Sequence, residues 1–164
     1  MKKIILMFML MAPLATFAQK FGKVNTQNIM QTLPEISKIN GELEATAKQY
    51  ENELKSIQEE LQRQSDAYDK GKSTMNATAL QAKEQELQQL YQKIQQTYQD
   101  NQQNLQKAQQ EKMQPVIVKV RNAIENVGKA GGFTYIFEEG VAVFTGSNVE
   151  DVTSKVQAEI NKLK

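Results

Sequence analysis

Along this chain the apolar positions fall into a few separate rhythms. From Leu43 they alternate four and three apart: Leu43, Ala47, Tyr50, Leu54, Ile57, Leu61, Gln64 and Tyr68. Seven of these eight are apolar or aromatic, which makes a narrow heptad seam and not the wider stripe a globular core helix buries. "DKGKSTMNAT" (Asp69–Thr78) then breaks the pattern with glycine and cap residues. The alternation returns, weaker, at Leu87, Tyr91, Ile94, Tyr98, Asn101, Leu105, Ala108 and Lys112. Two thin seams joined by a short turn predict an antiparallel helical hairpin, each seam consumed by the other. The outgoing helix, Pro34 to Tyr68, would be about 50 Å long at 1.5 Å per residue. Eleven of the 25 residues from Glu86 to Gln110 are glutamine, so the face left outside is polar yet little charged, and helix propensity stays high.

The flanks follow other rhythms. "FGKVN" (Phe21–Asn25) reads as a short strand, and "TQNIMQTL" as a turn of helix. Thr32 stands three residues before Glu35 with Pro34 between, a capping-box spacing that predicts the start of the long helix. Pro115 is expected to interrupt the return helix, because an internal proline removes a backbone hydrogen bond. Beyond it Val116, Ile117, Val120, Ile124 and Val127 form a broader apolar face that ends in glycines. "FTYIF" (Phe133–Phe137), "EEG" and "VAVF" (Val141–Phe144) read as a β-hairpin. A last helix, capped near Asn148 or Asp151, carries Val152, Val156, Ile160 and Leu163.

The expected fold is α+β: a long antiparallel coiled-coil helical hairpin projecting from a small β-rich oligomerisation body, in the order strand, helix, helix, strand, strand, helix. The body takes 19–34 and 115–164, the hairpin 35–114, with its tip near 69–78. A body this small is marginal alone. Oligomerisation through strands is the expected remedy, with Phe21, Val24, Phe133, Tyr135, Phe137, Val141 and Val143 as candidate contacts.

Residues 1–18 read as a separate device. Lys2 and Lys3 precede the apolar run "IILMFMLMAPLATF", and Ala18 supplies a small residue for cleavage before Gln19. The run is shorter than a membrane span, so a cleaved secretory leader and a periplasmic location are expected, with no stable membrane insertion. Loss of Lys2 and Lys3 leaves 18 basic and 19 acidic residues, a balance that points away from nucleic acid.

Chemistry finds little to stand on. There is no cysteine and no histidine, which removes thiolate nucleophiles, the commonest metal ligand and the usual general base. "GKST" (Gly71–Thr74) is the tail of a phosphate loop, but the required first glycine is Asp66 and no strand precedes it. Adjacent carboxylates such as Glu59–Glu60 do not face each other on a helix. "NAT" at Asn76 matches a glycosylation sequon, read as chance beside a bacterial-type leader. No catalytic residue, metal or cofactor is expected. Tyr68, Met75, Tyr91 and Tyr98 remain as candidates for contact with a partner, since tyrosine and methionine offer adaptable apolar area.

The leader, "FGKVNTQNIM", "LPE" opening a long helix, the polar hairpin, "AIENVGKAGGFTYIF" and "DVTSKV" together resemble the OmpH-like, or Skp, family of periplasmic chaperones. The resemblance spans the mature chain and rests on order and spacing, not on one motif. It implies a homotrimer whose β-rich body carries three helical tentacles that enclose unfolded outer-membrane proteins without ATP. The charge departs from the family's basic pattern. Glu35–Asn76 has six basic and nine acidic residues, and the return helix to Gln114 has four of each. No lipopolysaccharide site is therefore carried over. The rival readings are a structural periplasmic spacer and an adaptor that binds one folded partner through the tip.

Overall fold

The structure, a computed structural model, describes residues 19–163; the expected leader lies outside them. The elements in order are β1 (Phe21–Val24), α1 (Thr26–Thr32), α2 (Pro34–Gly71), a 3-10 turn (Lys72–Thr74), α3 (Ala77–Gly131), β2 (Tyr135–Glu138), β3 (Glu150–Asp151) and α4 (Thr153–Ile160). The chain divides into two compact units. Of the described residues, one unit, the body, takes those up to Ile29 and from Val120 onward; the other, the arm, is Met30–Lys119.

In the arm the outgoing seam lies where its rhythm places it: Leu43, Ala47, Tyr50, Leu54, Ile57, Leu61, Gln64 and Tyr68 are all half-buried. The return seam is shifted. Leu87, Leu90, Ile94, Thr97, Asn101, Leu105 and Ala108 turn inward, while Tyr91 and Tyr98 are exposed. A tyrosine beside a heptad position can leave the seam at little cost, because its hydroxyl is content in water. Polar bonds cross between the helices at both ends of the arm. Lys119 Nζ donates to Glu35 at 2.8 Å, Lys112 Nζ to Glu42 at 2.6 Å, and the Tyr68 hydroxyl to Glu84 at 2.7 Å.

Local chemistry sets the helix ends. Leu33, in extended conformation, is the N-cap of α2 with Pro34 at its first turn, and no side chain caps it. Thr32 instead closes α1, so Leu33 stands at the capping position that was expected of Thr32. Proline at the first turn needs no donor partner, which is enough to start the helix. At the other end of the arm Asn76 Oδ1 accepts the Ala79 N–H at 2.9 Å, so the sequon asparagine is the N-cap of α3. Pro115 does not interrupt α3. Packing outweighs the lost bond there: Val116 is buried, Met113 is half-buried and Lys119 is tied to Glu35.

The body holds a three-stranded sheet of order β2-β1-β3, and both pairings are parallel. The expected β-hairpin is therefore corrected. Gly140, at φ +84°, turns the chain out of the sheet after β2, and Val141–Phe144 forms no strand. The third strand is Glu150–Asp151, which returns to the far side of β1, where the Val152 N–H donates to the Lys23 carbonyl at 2.9 Å. Val24, Ile29, Val120, Ala123, Val152, Val156 and Ile160 make the core of this unit. Asn25 Oδ1 caps α1 through the Asn28 N–H at 2.7 Å, and Asp151 Oδ1 accepts the Thr153 N–H at 3.0 Å where α4 begins.

Candidate interaction surfaces

Parallel register decides which side chains share a face of the sheet. Phe21 pairs with Tyr135 and Lys23 with Phe137, while Gly22, Val24, Ile136 and Glu138 alternate with them. Gly22 and Val24 are buried. The other face carries a stack of three rings. Phe21 and Tyr135 lie 6.1 Å apart at 7°, Phe21 and Phe137 6.4 Å apart at 23°, and Tyr135 and Phe137 5.8 Å apart at 21°. Tyr135 is 57% exposed and Phe137 44%. Beyond Gly140, Val141, Val143 and Phe144 are also exposed. Among the described residues this is the densest exposed apolar surface of the body.

Charge borders the stack. Lys23 Nζ donates to Glu139 Oε1 at 2.6 Å and lies 3.6 Å from Asp151, while Asn25 Nδ2 donates to Glu139 Oε2 at 2.8 Å. The bond from Lys23 holds the Glu139 carboxyl below its ordinary range, and Glu139 raises Lys23 in turn. These ties hold β1 to the strand ends on both sides. Sequence reading missed them, because they join residues more than a hundred positions apart and nothing in either segment marks a partner.

One candidate contact of the body is internal, and a second is half-buried against its own chain. Val24 is buried in the core of its own chain and leaves no surface for a partner. Phe133 is wedged between glycines. A Cβ on Gly131 would lie 2.4 Å from its ring, a Cβ on Gly22 3.0 Å, and Lys20 Nζ sits 4.0 Å from the ring centroid. Phe21, Tyr135, Phe137, Val141 and Val143 remain at the surface or half-buried, and Phe144, at 85% exposure, joins them. Alternation could have marked Phe144 only if Val141–Phe144 had been set outside the sheet.

On the arm the four candidate contacts separate. Tyr68 is half-buried and bonded to Glu84, which raises its phenol pKa. Met75 is half-buried and folds back over Gly71. Tyr91 and Tyr98 are 59% and 54% exposed. Seven residues apart, they stand two turns from each other on one side of α3. Tyr91 borders a shallow groove with Glu84, Leu87, Gln88, Gln92 and Gln95. One carboxylate and three amides can bond a peptide backbone, and the ring and Leu87 offer apolar area. Among the described residues no acidic or cysteine–histidine cluster could hold a metal, and no helix is long and apolar enough to cross a membrane.

The family model for outer membrane proteins of the OmpH-like type matches residues 20–160. Chaperone protein Skp of Pectobacterium atrosepticum is 22% identical over 143 residues, covering 87% of this chain and 86% of that protein. A crystal structure from Caulobacter crescentus, described as an outer membrane chaperone (OmpH-like), matches with a TM-score of 0.76 at 17% identity. That match covers 88% of this chain and 85% of the other, and at such identity it speaks for the fold.

Proposed function

The chain belongs to the OmpH-like outer membrane protein family, and from that premise we propose that it is an ATP-independent holdase chaperone of the periplasm. It binds unfolded outer-membrane proteins and keeps them from aggregating on their way to the outer membrane. Residues 1–18 serve as the cleaved leader. Residues 19–34 with 115–164 serve as the assembly body, and 35–114 as the tentacle that meets the client.

The observation that carries this reading is the division of labour on α3. Its seam residues face α2, while Tyr91 and Tyr98 stand outside in a coat of glutamine. Such a surface is soluble, nearly neutral and rich in paired donors and acceptors. It suits many weak contacts with an extended chain better than one tight fit to a folded partner. The curated relative carries the name chaperone, which agrees with this reading.

The same proposal makes the protein a homotrimer joined through the body. The stacked Phe21, Tyr135 and Phe137, with Val141, Val143 and Phe144 beside them, offer the apolar surface such an interface needs. β2 is an edge strand of the sheet and offers backbone groups as well.

The test is aggregation of several unrelated outer-membrane barrels diluted from denaturant, followed by light scattering with no nucleotide present. A holdase suppresses scattering from all of them near stoichiometric ratios. Indifference to every barrel would leave the spacer reading, and saturation by one folded protein the adaptor reading.

A further inference from the structure

The arm contains one layer unlike the rest. Asn101, on the inward face of α3, is the one polar residue buried among the described residues, at 8% exposure. Its Nδ2 has no hydrogen-bond partner. Half-buried Thr97 and Ile94 flank it in the seam toward the tip, and half-buried Leu105 and Ala108 on the other side. A second orphan, Gln64 Oε1, lies nearer the tip, although the Nε2 of that residue donates to Glu60.

The cross-helix polar bonds leave this layer alone. Among the described residues they fall at Glu35–Lys119 and Glu42–Lys112 toward one end and at Tyr68–Glu84 toward the other. Asn101 lies about 16 Å along the helix from Lys112 and about 25 Å from Glu84. The register of those bonds sets it level with the Tyr50–Leu54 turn of α2.

A buried polar residue in a coiled-coil seam usually fixes register at a cost in stability. Here the Lys72–Thr74 turn, the Asn76 cap and the three cross-helix bonds already fix it. What remains is the cost. An amide held out of water with an unmade bond regains that bond when the helices part. Opening is therefore easier at this layer than at its apolar neighbours.

We propose that the Asn101 layer is a built-in yield point, the place where α2 and α3 separate first and the arm bends. The ends stay fastened while the middle gives, so the arm can change curvature without losing its pairing.

Hydrogen exchange on the full-length protein tests this without any client or partner, so its outcome is independent of the chaperone reading. Asn101→Leu should slow amide exchange over residues 97–108 by about tenfold or more, while residues 80–87 change little. Combining Asn101→Leu with Ile94→Asn should move the fast-exchanging stretch about one heptad toward the tip. Unchanged or faster exchange over 97–108 in the single variant would overturn the proposal. So would a fast stretch that stays at 97–108 in the double variant.

Discussion

The Tyr68 hydroxyl reaches across the hairpin and donates to Glu84 Oε1 at 2.7 Å, fastening α2 to α3 one short turn before the tip. Tyr68 also lies beneath Lys72, whose Nζ is 5.9 Å from the ring centroid. The phenol is thus part of the closure of the arm and is less available to a partner than its exposed relatives on α3.

Tyr68→Phe removes this bond and keeps the ring. Exchange of amides near the tip should quicken, though by less than about tenfold, because the pair is exposed and water replaces much of what is lost. The bond raises the phenol pKa above its ordinary value. Its contribution is therefore complete below the ordinary tyrosine range and is lost as pH climbs through the raised value. Wild type should show an alkaline loosening of the tip that Tyr68→Phe lacks, read by exchange at matched chemical rates.

Acid should loosen the other end. Hydrogen bonds from Lys119 and Lys112 lower the pKa of Glu35 and Glu42 below the ordinary carboxyl range. A lowered folded-state pKa stabilises above the unfolded value and is lost as pH falls through the folded one. Protection of residues 36–43 should fall on acidification below about pH 4.3. The double variant Glu35→Gln, Glu42→Gln should be weaker at neutral pH and flatter across that range.

Gly131→Ala should destabilise the body even though alanine is the better helix former. The new Cβ would meet the Phe133 ring at 2.4 and 2.7 Å, and that ring is held on its other side by Gly22. Overpacking of this kind costs about 1–3 kcal/mol. A thermal melt checks it; an unchanged or raised midpoint would mean that Phe133 can move aside freely.

Charging the exposed ring stack should break assembly. Phe137→Glu places a carboxylate against Phe21 and Tyr135, whose rings stack on it, and alters no buried core position. Light scattering should report a multimer for wild type and a smaller species for the variant. A wild-type protein that is a stable monomer at micromolar concentration would sink the assembly reading.

How far the sequence carried differs between the units. Along α2 the four-and-three alternation is carried by Leu43, Ala47, Leu54, Ile57 and Leu61 with Tyr50 and Tyr68 in step, so it has one helical solution, and all eight seam positions, Gln64 included, are half-buried. On α3 the same rule admitted Tyr91 and Tyr98 because aromatic rings count as apolar. The correct thread ran through Leu90, three residues after Leu87 and four before Ile94, and the choice turned on the phenol. In the body, "VAVF" has strand composition yet forms none, whereas "ED" at Glu150–Asp151 does. Parallel pairing to β1 is made by the backbone, and a two-residue strand leaves no periodicity to read.

Client capture should depend weakly on salt. The outgoing helix has more acid than base, the return helix to Gln114 is balanced, and most arm charges are paired within one helix or across the pair. A basic cavity would attract clients over a distance, and that attraction would fade as the Debye length shrinks from about 10 Å at 0.1 M to about 3 Å at 1 M. These arms offer little of it. Apolar and amide contacts at Tyr91, Tyr98 and the Leu87–Gln95 groove do not weaken in salt. Each contributes little, so Tyr91→Ala alone should lower affinity only a few-fold, and Tyr91→Ala with Tyr98→Ala by clearly more. Fluorescence anisotropy of a labelled unfolded barrel at low and high salt measures both. A loss beyond about tenfold, or about 1.4 kcal/mol, on raising salt would mean that charge holds the client. Equal affinity of wild type and the double variant would mean that the client meets another face of the arm.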